Sequence, residues 1–226
     1  MKIGILQTGH APDSLIERTG DYDFMFESLL GGHGFTFETY AVVDGVFPDG
    51  ALAADGWLIT GSRHGAYEDH AWIPPLEQLI REIHAAALPL IGVCFGHQII
   101  AQALGGKVEK FSGGWAIGRT TYETETGSLT LNAWHQDQVT ERPEGARVLA
   151  GNAFCQNAIL AYGDTIWTVQ PHPEYDTDFI AGLIRTRGKG VIPDDQLAKA
   201  SEHLAGPVDA SSVGRQMAEF FLKERM

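Results

Sequence analysis

The stretch "LPLIGVCFGHQIIAQALGG", residues 88–106, decides how this chain folds. Its first part is apolar up to Val93 and predicts a buried strand. The residues after Cys94 repeat at helical spacing and stop at a pair of glycines, which predicts a short helix. Cys94 itself lies at the junction, with Gly92 and Gly96 at equal spacing on either side. It is either a small buried side chain, the common fate of a cysteine, or a nucleophile on a tight turn.

Short apolar runs and helical patterns alternate around this stretch. We predict strands over 2–8, 35–42, 56–60 and 88–93, and helices over 22–30, 72–87 and 95–104. This alternation favours a parallel sheet with helices on both faces. Because such sheets bind ligands at the carboxyl ends of their strands, we expect the loops after Thr8, Thr60 and Val93 to meet at one edge.

The second half of the chain has a different pattern. Residues 118–134 are rich in Thr and Tyr, and their polar and apolar residues partly alternate. Residues 159–174 predict a hairpin that turns at Gly163 and Asp164. A helix follows, with Asp176 as its predicted N-cap.

The C-terminal part adds two more helical patterns beyond residue 188. We expect one domain over 1–226, with a core over about 1–187 and a helical extension over about 188–226. An apolar stripe on the last helix favours packing against the core over a partner-binding face; it comprises Val213, Met217, Phe220 and Phe221. Whether the extension packs on the sheet edge, covers the site or forms a dimer face stays open, and so does a homo-oligomer.

Composition excludes several classes of partner. The chain has 226 residues, with 16 basic and 29 acidic side chains and a net charge of −13. This acidity opposes binding to the phosphate backbone of a nucleic acid. No stretch approaches the roughly 20 apolar residues of a membrane span. The two cysteines exclude a disulfide framework, and "MKIGILQTGH" lacks the pattern of a signal peptide, so we expect a reducing, cytoplasmic setting.

The surroundings of Cys94 suit a nucleophile. Glycines at 92 and 96 allow the close approach of strand and helix that a strained turn needs. A thiol at the N-terminus of a helix experiences the positive end of the helix dipole, which favours the thiolate. The backbone N–H of Phe95 would then face a developing oxyanion.

A nucleophilic thiol needs a base, and the base needs a group that orients it. Among nine histidines, His172 lies in "VQPHPEYD", directly after an apolar run. Pro171 and Pro173 restrict the backbone on both sides of it. In an extended segment Glu174 points to the same side as His172, where its carboxylate could fix the imidazole tautomer.

The pair of segments "GVCFGHQ" and "QPHPE" resembles the class I, triad-type glutamine amidotransferase family over about residues 1–187. The resemblance implies a flavodoxin-like three-layer α/β sandwich with a mostly parallel central sheet, here with extra C-terminal helices. It also implies hydrolysis of the side-chain amide of glutamine or of another γ-glutamyl compound, through a γ-glutamyl thioester. Cys94 matches the nucleophile, His172 the general base and acid, and Glu174 the orienting carboxylate.

Further segments match the family. "ITGSRHGAYED" resembles the segment that supplies a backbone oxyanion donor, here Gly61, although an ordinary Gly-Ser turn is the alternative. Gln98 matches a glutamine that helps to hold the substrate, and its alternative is a plain surface residue. "GGWAIG", with Trp115 and Ala116, resembles the segment that lines the pocket for the α-amino and carboxylate groups.

The segment "WHQDQV" is similar to one in GMP-synthetase-like members of the family. His135 and Asp137 within it are either adjacent to the site or structural hydrogen-bonding residues. Because the sequence lacks H-x-x-x-H and C-x-x-C spacings, we expect no metal, and the chemistry requires no cofactor.

Three interpretations of the function remain open. In the first, the chain is a glutaminase that releases ammonia and glutamate and works with a separate synthetase subunit, since no nucleotide-binding Gly-x-x-x-x-Gly-Lys-Ser/Thr loop is present. In the second, it is a free-standing hydrolase or transferase of γ-glutamyl peptides. In the third, it is a non-catalytic binding or regulatory protein on the same scaffold, which the complete set of Cys94, His172 and Glu174 opposes.

Overall fold

A nine-stranded sheet forms the centre of the molecule. In the computed structural model, which describes residues 1–225, a small two-stranded sheet accompanies it. The strands are β1 Lys2–Leu6, β2 Thr36–Tyr40, β3 Gly56–Ile59, β4 Leu90–Val93, β5 Lys107–Lys110, β6 Ala116–Thr124, β7 Gly127–His135, β8 Asp137–Glu141, β9 Ala146–Gly151, β10 Ile159–Tyr162 and β11 Ile166–Val169. The helices are α1 Asp13–Thr19, α2 Tyr22–Leu29, α3 Ile73–Ala85, α4 Phe95–Ala103, α5 Thr177–Leu183, α6 Asp194–Glu202 and α7 Ala210–Leu222.

The order of the strands in the large sheet is β2-β1-β3-β4-β11-β10-β9-β6-β7. The first five strands in this order run parallel, and the last four extend the sheet by antiparallel pairing. Strand β11 pairs in parallel with β4, with Val169 opposite Val93. The segment after β11 therefore leaves the sheet beside the turn after β4, as ligand sites in open α/β sheets require.

Helices cover both faces of the parallel strands, because successive strand residues point to opposite faces. In β1, Leu6 belongs to the core layer under α3 and α4, whereas Ile3 and Ile5 belong to the layer under α2 and α7. In β3, Trp57 and Ile59 lie on the first of these faces. Such two-sided burial explains why the parallel strands read as continuous apolar runs. The predicted three-layer fold is confirmed.

The predicted boundaries are longer than the observed ones by a few residues at most. The pattern over 118–134 forms the hairpin of β6 and β7, and the predicted hairpin at Gly163 joins β10 to β11. Asp176 caps α5 as predicted, since its side chain accepts a hydrogen bond of 2.7 Å from the backbone N–H of Phe179. No pattern had indicated α1, β9 or the small β5–β8 sheet.

The C-terminal helices pack against the rest of the chain. On α7, Val213, Met217 and Phe221 are buried in the same core layer as Ile3 and Ile5, so the apolar stripe is a packing surface. The helix α6 packs against β6, where Gly118 lies close to Ala200 near the end of that helix. No helix within residues 1–225 is long and apolar enough to cross a membrane.

Candidate active site

Cys94 lies on a strained turn between β4 and α4. Its backbone has φ 54° and ψ −103°, a left-handed conformation that is uncommon for a residue with a side chain. The turn is possible because Gly92 and Gly96 lack a Cβ. A Cβ on Gly92 would stand 2.5 Å from the carbonyl oxygen of Gly96, and one on Gly96 would collide with the carbonyl oxygen of Ile59. The predicted nucleophile elbow is therefore present in the backbone.

Two backbone N–H groups near Cys94 are free to bind an anion. Phe95 is the first residue of α4, so its N–H has no partner within the helix. Gly61 follows β3, and its carbonyl oxygen accepts hydrogen bonds from the hydroxyls of Thr8 at 3.1 Å and Thr60 at 3.2 Å. Neither N–H donates a hydrogen bond to any residue from 1 to 225. The hydroxyls of Thr8 and Thr60 thus hold the carbonyl group of Gly61, next to the free N–H of the same residue.

His172 and Glu174 form a buried pair in the segment after β11. The Nδ1 of His172 lies 2.7 Å from Oε1 of Glu174, and the two side chains are only 2% and 1% exposed. Because Nδ1 is taken by the carboxylate, Nε2 is the nitrogen available for chemistry. Within the described residues Nε2 has no hydrogen-bond partner.

The loops after Thr8, Thr60 and Val93 meet at one edge as predicted, with Thr8 bonded to Thr60 and Gly61. The segment after β11, which was not part of that prediction, brings His172 to the same place. A Cβ on Gly61 would lie 3.2 Å from Cε1 of His172 and 3.6 Å from Cβ of Cys94. The space that a side chain at position 61 would fill is thus bordered by both His172 and Cys94. A larger residue at this position would occupy the space between them.

Two residues outside the predicted set hold His172 in place. The ring of Tyr175 stacks on the imidazole, with centroids 3.9 Å apart and planes 6° from parallel. Asn132 of β7 accepts a hydrogen bond of 2.8 Å from the backbone N–H of His172, and its side chain donates one of 2.9 Å to the carbonyl of Tyr175. No local pattern indicates Asn132, because it lies 40 residues before His172.

Electrostatics favours a charged imidazole. Burial lowers the pKa of His172, but the negative charge of Glu174 and then that of the Cys94 thiolate raise it, and the net direction is upward. A proton on His172 is thus stabilised where a thiolate would need a counter-charge.

Gln98 is part of the buried framework. Its side chain is 3% exposed, which rules out the surface alternative. Its amide donates hydrogen bonds of 2.9 Å to the carbonyl of Asp137 and 3.1 Å to the side chain of Gln170. The amide therefore ties α4 to β8 and to the end of β11.

His135 and Asp137 lie next to each other near the loop after β3. His135 is buried, its Nδ1 is 3.2 Å from the carbonyl oxygen of Asp137, and burial lowers its pKa to about 3. Burial raises the pKa of the Asp137 carboxyl, which Tyr67 contacts. A neutral, hydrogen-bonded His135 agrees with the prediction of a structural role. The hydrogen bond of Gln98 to Asp137 agrees with the prediction that the two residues lie next to the site.

Trp115 and Ala116 lie further along the same sheet edge. They line a surface cavity of about 320 Å³ together with Phe154, Lys199 and His203. A second cavity, of about 460 Å³, borders Glu174 from the side of α1 and α2. Neither is lined by Cys94, whose side chain is only 5% exposed.

The second cysteine, Cys155, is not a candidate for chemistry. It is buried, and burial raises the pKa of its thiol to about 12, so it stays neutral. His97, next to the elbow, donates or accepts a 2.7 Å hydrogen bond with Thr168, and burial lowers its pKa to about 3. Both residues belong to the core.

The fold and the arrangement around Cys94 are those of an α/β cysteine hydrolase. The model of the family described as glutamine amidotransferase class-I matches residues 50–178. The chain belongs to the class I glutamine amidotransferase family. The prediction of an amide hydrolase with a cysteine nucleophile is thereby confirmed.

Two relatives and one solved structure show what the chain is similar to. It is 34% identical over 191 residues to γ-glutamyl peptidase 4 of Arabidopsis thaliana, and the match covers 76% of each protein. It is 30% identical over 168 residues to a glutamine-hydrolysing GMP synthase of Parasynechococcus marenigrum, covering 68% of this chain but 31% of that protein. The fold matches a glutamine amidotransferase of Thermotoga maritima, with a TM-score of 0.76, 21% identity and 99% of both chains covered.

Proposed function

We propose that this chain hydrolyses the amide bond of a γ-glutamyl compound, with Cys94 as the nucleophile, His172 as general base and acid, and Glu174 as its orienting carboxylate. The observation that carries the proposal is that Cys94 and His172 both border the space where a side chain on Gly61 would lie. A free backbone N–H, a cysteine and an imidazole therefore surround one small space, which supports these roles.

The steps follow from these groups. The Cys94 thiolate attacks the amide carbon, and the tetrahedral oxyanion accepts hydrogen bonds from the N–H groups of Gly61 and Phe95. The His172 imidazolium gives its proton to the departing nitrogen as the C–N bond breaks, which leaves a γ-glutamyl thioester. His172 then removes a proton from water, the hydroxide attacks the thioester, and glutamate leaves as Cys94 regains its thiolate. Loss of one oxyanion donor typically costs about 2.7–4 kcal/mol of transition-state stabilisation.

The simplest substrate is glutamine, which yields ammonia and glutamate. In this case the ammonia acceptor lies on a separate synthetase subunit. The match to a glutamine-hydrolysing GMP synthase supports a partner of this kind.

A second candidate function is hydrolysis of a γ-glutamyl peptide without a partner. The relative named γ-glutamyl peptidase 4 supports it, because the match covers 76% of both chains and so leaves little room in that protein for a further domain. Both candidate functions cleave the same γ-glutamyl amide bond and pass through the same γ-glutamyl thioester. They differ only in the group that follows the amide nitrogen.

We also infer a reducing, cytoplasmic setting. Both cysteines are free thiols, and the proposed chemistry requires Cys94 to stay reduced.

Turnover of a substrate panel by the isolated chain tests the proposal. Glutamine, γ-glutamyl dipeptides and glutathione conjugates are compared, and the common product glutamate is quantified by mass spectrometry. We expect turnover that Cys94→Ser abolishes and that Cys155→Ala, the matched change at the other buried cysteine, preserves. Turnover restricted to peptides supports the free-standing hydrolase, and turnover of glutamine that a synthetase increases supports the subunit. Turnover that persists in Cys94→Ser, or its absence on every substrate, would falsify the proposed role of Cys94.

A further inference from the structure

Three metal-ligating side chains converge on the loop between β3 and α3, just beyond Gly61. Nδ1 of His64 lies 3.4 Å from Oε2 of Glu68, and Nε2 of His70 lies 2.8 Å from the same oxygen. All three ligand atoms are within 4.8 Å of one another. We propose that His64, Glu68 and His70 bind a divalent transition-metal ion such as Zn²⁺.

The donor set selects this class of ion. Two imidazole nitrogens and one carboxylate oxygen suit zinc and its neighbours, whereas calcium and magnesium prefer oxygen ligands alone. A zinc ion with three protein ligands keeps a fourth position for water. The side chains of His64, Glu68 and His70 are 20%, 44% and 33% exposed, so an ion and its water can reach them from solvent.

The two distances to Glu68 require little rearrangement. With metal–ligand bonds of about 2.0–2.2 Å in a tetrahedral arrangement, neighbouring ligand atoms stand about 3.4 Å apart. The separation of His64 and Glu68 already has this value, and that of His70 and Glu68 must widen by about half an ångström. A change of this size lies within the rotation of an exposed glutamate side chain.

The loop holds the two rings in place before any ion binds. His70 stacks on Trp72 with planes 11° apart, and its backbone N–H donates to the carbonyl of Glu68 at 3.0 Å. The N–H of His64 donates to the hydroxyl of Ser62 at 3.2 Å, and Gln102 of α4 donates to the carbonyl of Ala66 at 2.7 Å. Ordered ligands lower the entropy cost of binding.

The site is joined to the proposed oxyanion donors from two directions. His64 lies three residues after Gly61, and Trp72 packs against Phe95 with ring centroids 5.5 Å apart. A bound ion cross-links the loop at both ends of the segment 64–70. We therefore expect slower amide hydrogen exchange over 62–71 in the metal-bound protein.

Zinc titration of the full chain tests the site. Isothermal titration calorimetry with zinc chloride is carried out in a Cys94→Ala background, so that the proposed catalytic thiol cannot take up metal. We expect one zinc ion per chain. His70→Ala and Glu68→Gln should each weaken binding by about tenfold or more, because each removes one of three ligands. The matched changes at exposed residues outside the cluster, His84→Ala and Glu144→Gln, should leave the affinity unchanged.

The alternative is that Glu68 joins the two histidines by hydrogen bonds alone. In that case His70→Ala lowers the melting temperature, but zinc neither raises it in the Cys94→Ala protein nor slows exchange over 62–71. Absence of a zinc heat, or equal affinity in the cluster variants and the controls, overturns the proposal. The sequence did not predict this site, because His-x-x-x-Glu-x-His matches neither the H-x-x-x-H nor the C-x-x-C spacing that typically indicates a metal.

Discussion

At the scale of single residues, the carboxylate of Glu174 raises the pKa of His172. Its Oε1 is bonded to His172, whereas Oε2 is buried with no hydrogen-bond partner among residues 1–225. A buried carboxylate with one unsatisfied oxygen is costly unless a positive charge lies beside it, and the imidazole of His172 is the group within hydrogen-bonding distance. The raised pKa of His172 therefore depends on the pair.

Glu174→Gln removes this charge with little change of shape. Because the charge of Glu174 is the largest cause that raises the pKa of His172, this pKa falls in the variant although the Cys94 thiolate still raises it, and less of the imidazole is charged near pH 7. We expect kcat to fall by about 10²-fold, at the low end of general acid–base effects. We also expect slower alkylation of Cys94 by iodoacetamide between pH 6 and 8, because the positive charge on His172 that would stabilise the Cys94 thiolate is reduced.

The control for this change is Glu144→Gln, which removes an equal charge from an exposed loop. Its kcat and alkylation profile should match those of the wild type. An unchanged pH profile of alkylation in Glu174→Gln would show that the carboxylate does not set the charge of His172.

Sequence patterns reveal those parts of the site that are encoded within a few residues. The elbow could be predicted because Gly92, Cys94 and Gly96 are local, and the same is true of His172 with Glu174. The role of Gln98 could not, because its partners Asp137 and Gln170 lie 39 and 72 residues away. Its burial follows from the tertiary fold, which no local pattern encodes.

At the scale of elements, the contact between α4 and β3 depends on a missing side chain. Gly96 lies inside α4, where Ala is ordinarily better than Gly by about 0.5–1 kcal/mol. Here a Cβ would collide with the backbone carbonyl of Ile59, which cannot move without displacing β3. Gly96→Ala should therefore lower the free energy of unfolding by about 1–3 kcal/mol, the usual cost of overpacking. The free energy of unfolding is measured by urea denaturation, with circular dichroism as the signal.

Gly214→Ala in α7 is the matched helical control. Its Cβ would meet the side chain of Leu29 at 2.7 Å, and a leucine end can rotate away, so a clearly smaller loss is expected. Equal losses in the two variants would contradict the view that backbone contact makes Gly96 irreplaceable.

The elements themselves were predictable to different degrees. β1, β3 and β4 are continuous apolar runs and were found, since strands buried on both faces carry that pattern. The seven-residue α1 lacked a clear start, because Pro12 precedes it and no side chain caps it. The strand order could not be predicted from the sequence, because β11 pairs with β4 although it begins 73 residues after β4 ends.

At the scale of the whole molecule, the C-terminal helix completes one side of the sheet. Met217 and Val213 are fully buried with Ile3 and Ile5 from the first strand. Residues from opposite ends of the sequence thus share one core layer, and the stability of the sheet should depend on α7.

Met217→Ala tests this dependence. Removing a fully buried methionine side chain leaves a cavity, and we expect the free energy of unfolding to fall by about 2–5 kcal/mol. Leu222→Ala, on the same helix but 52% exposed, should change it by less than about 0.5 kcal/mol. Urea unfolding at two protein concentrations separates core packing from assembly, because only a dimer interface makes the midpoint rise with concentration. A small effect of Met217→Ala together with a concentration-dependent midpoint would instead make α7 an interface between copies of the chain.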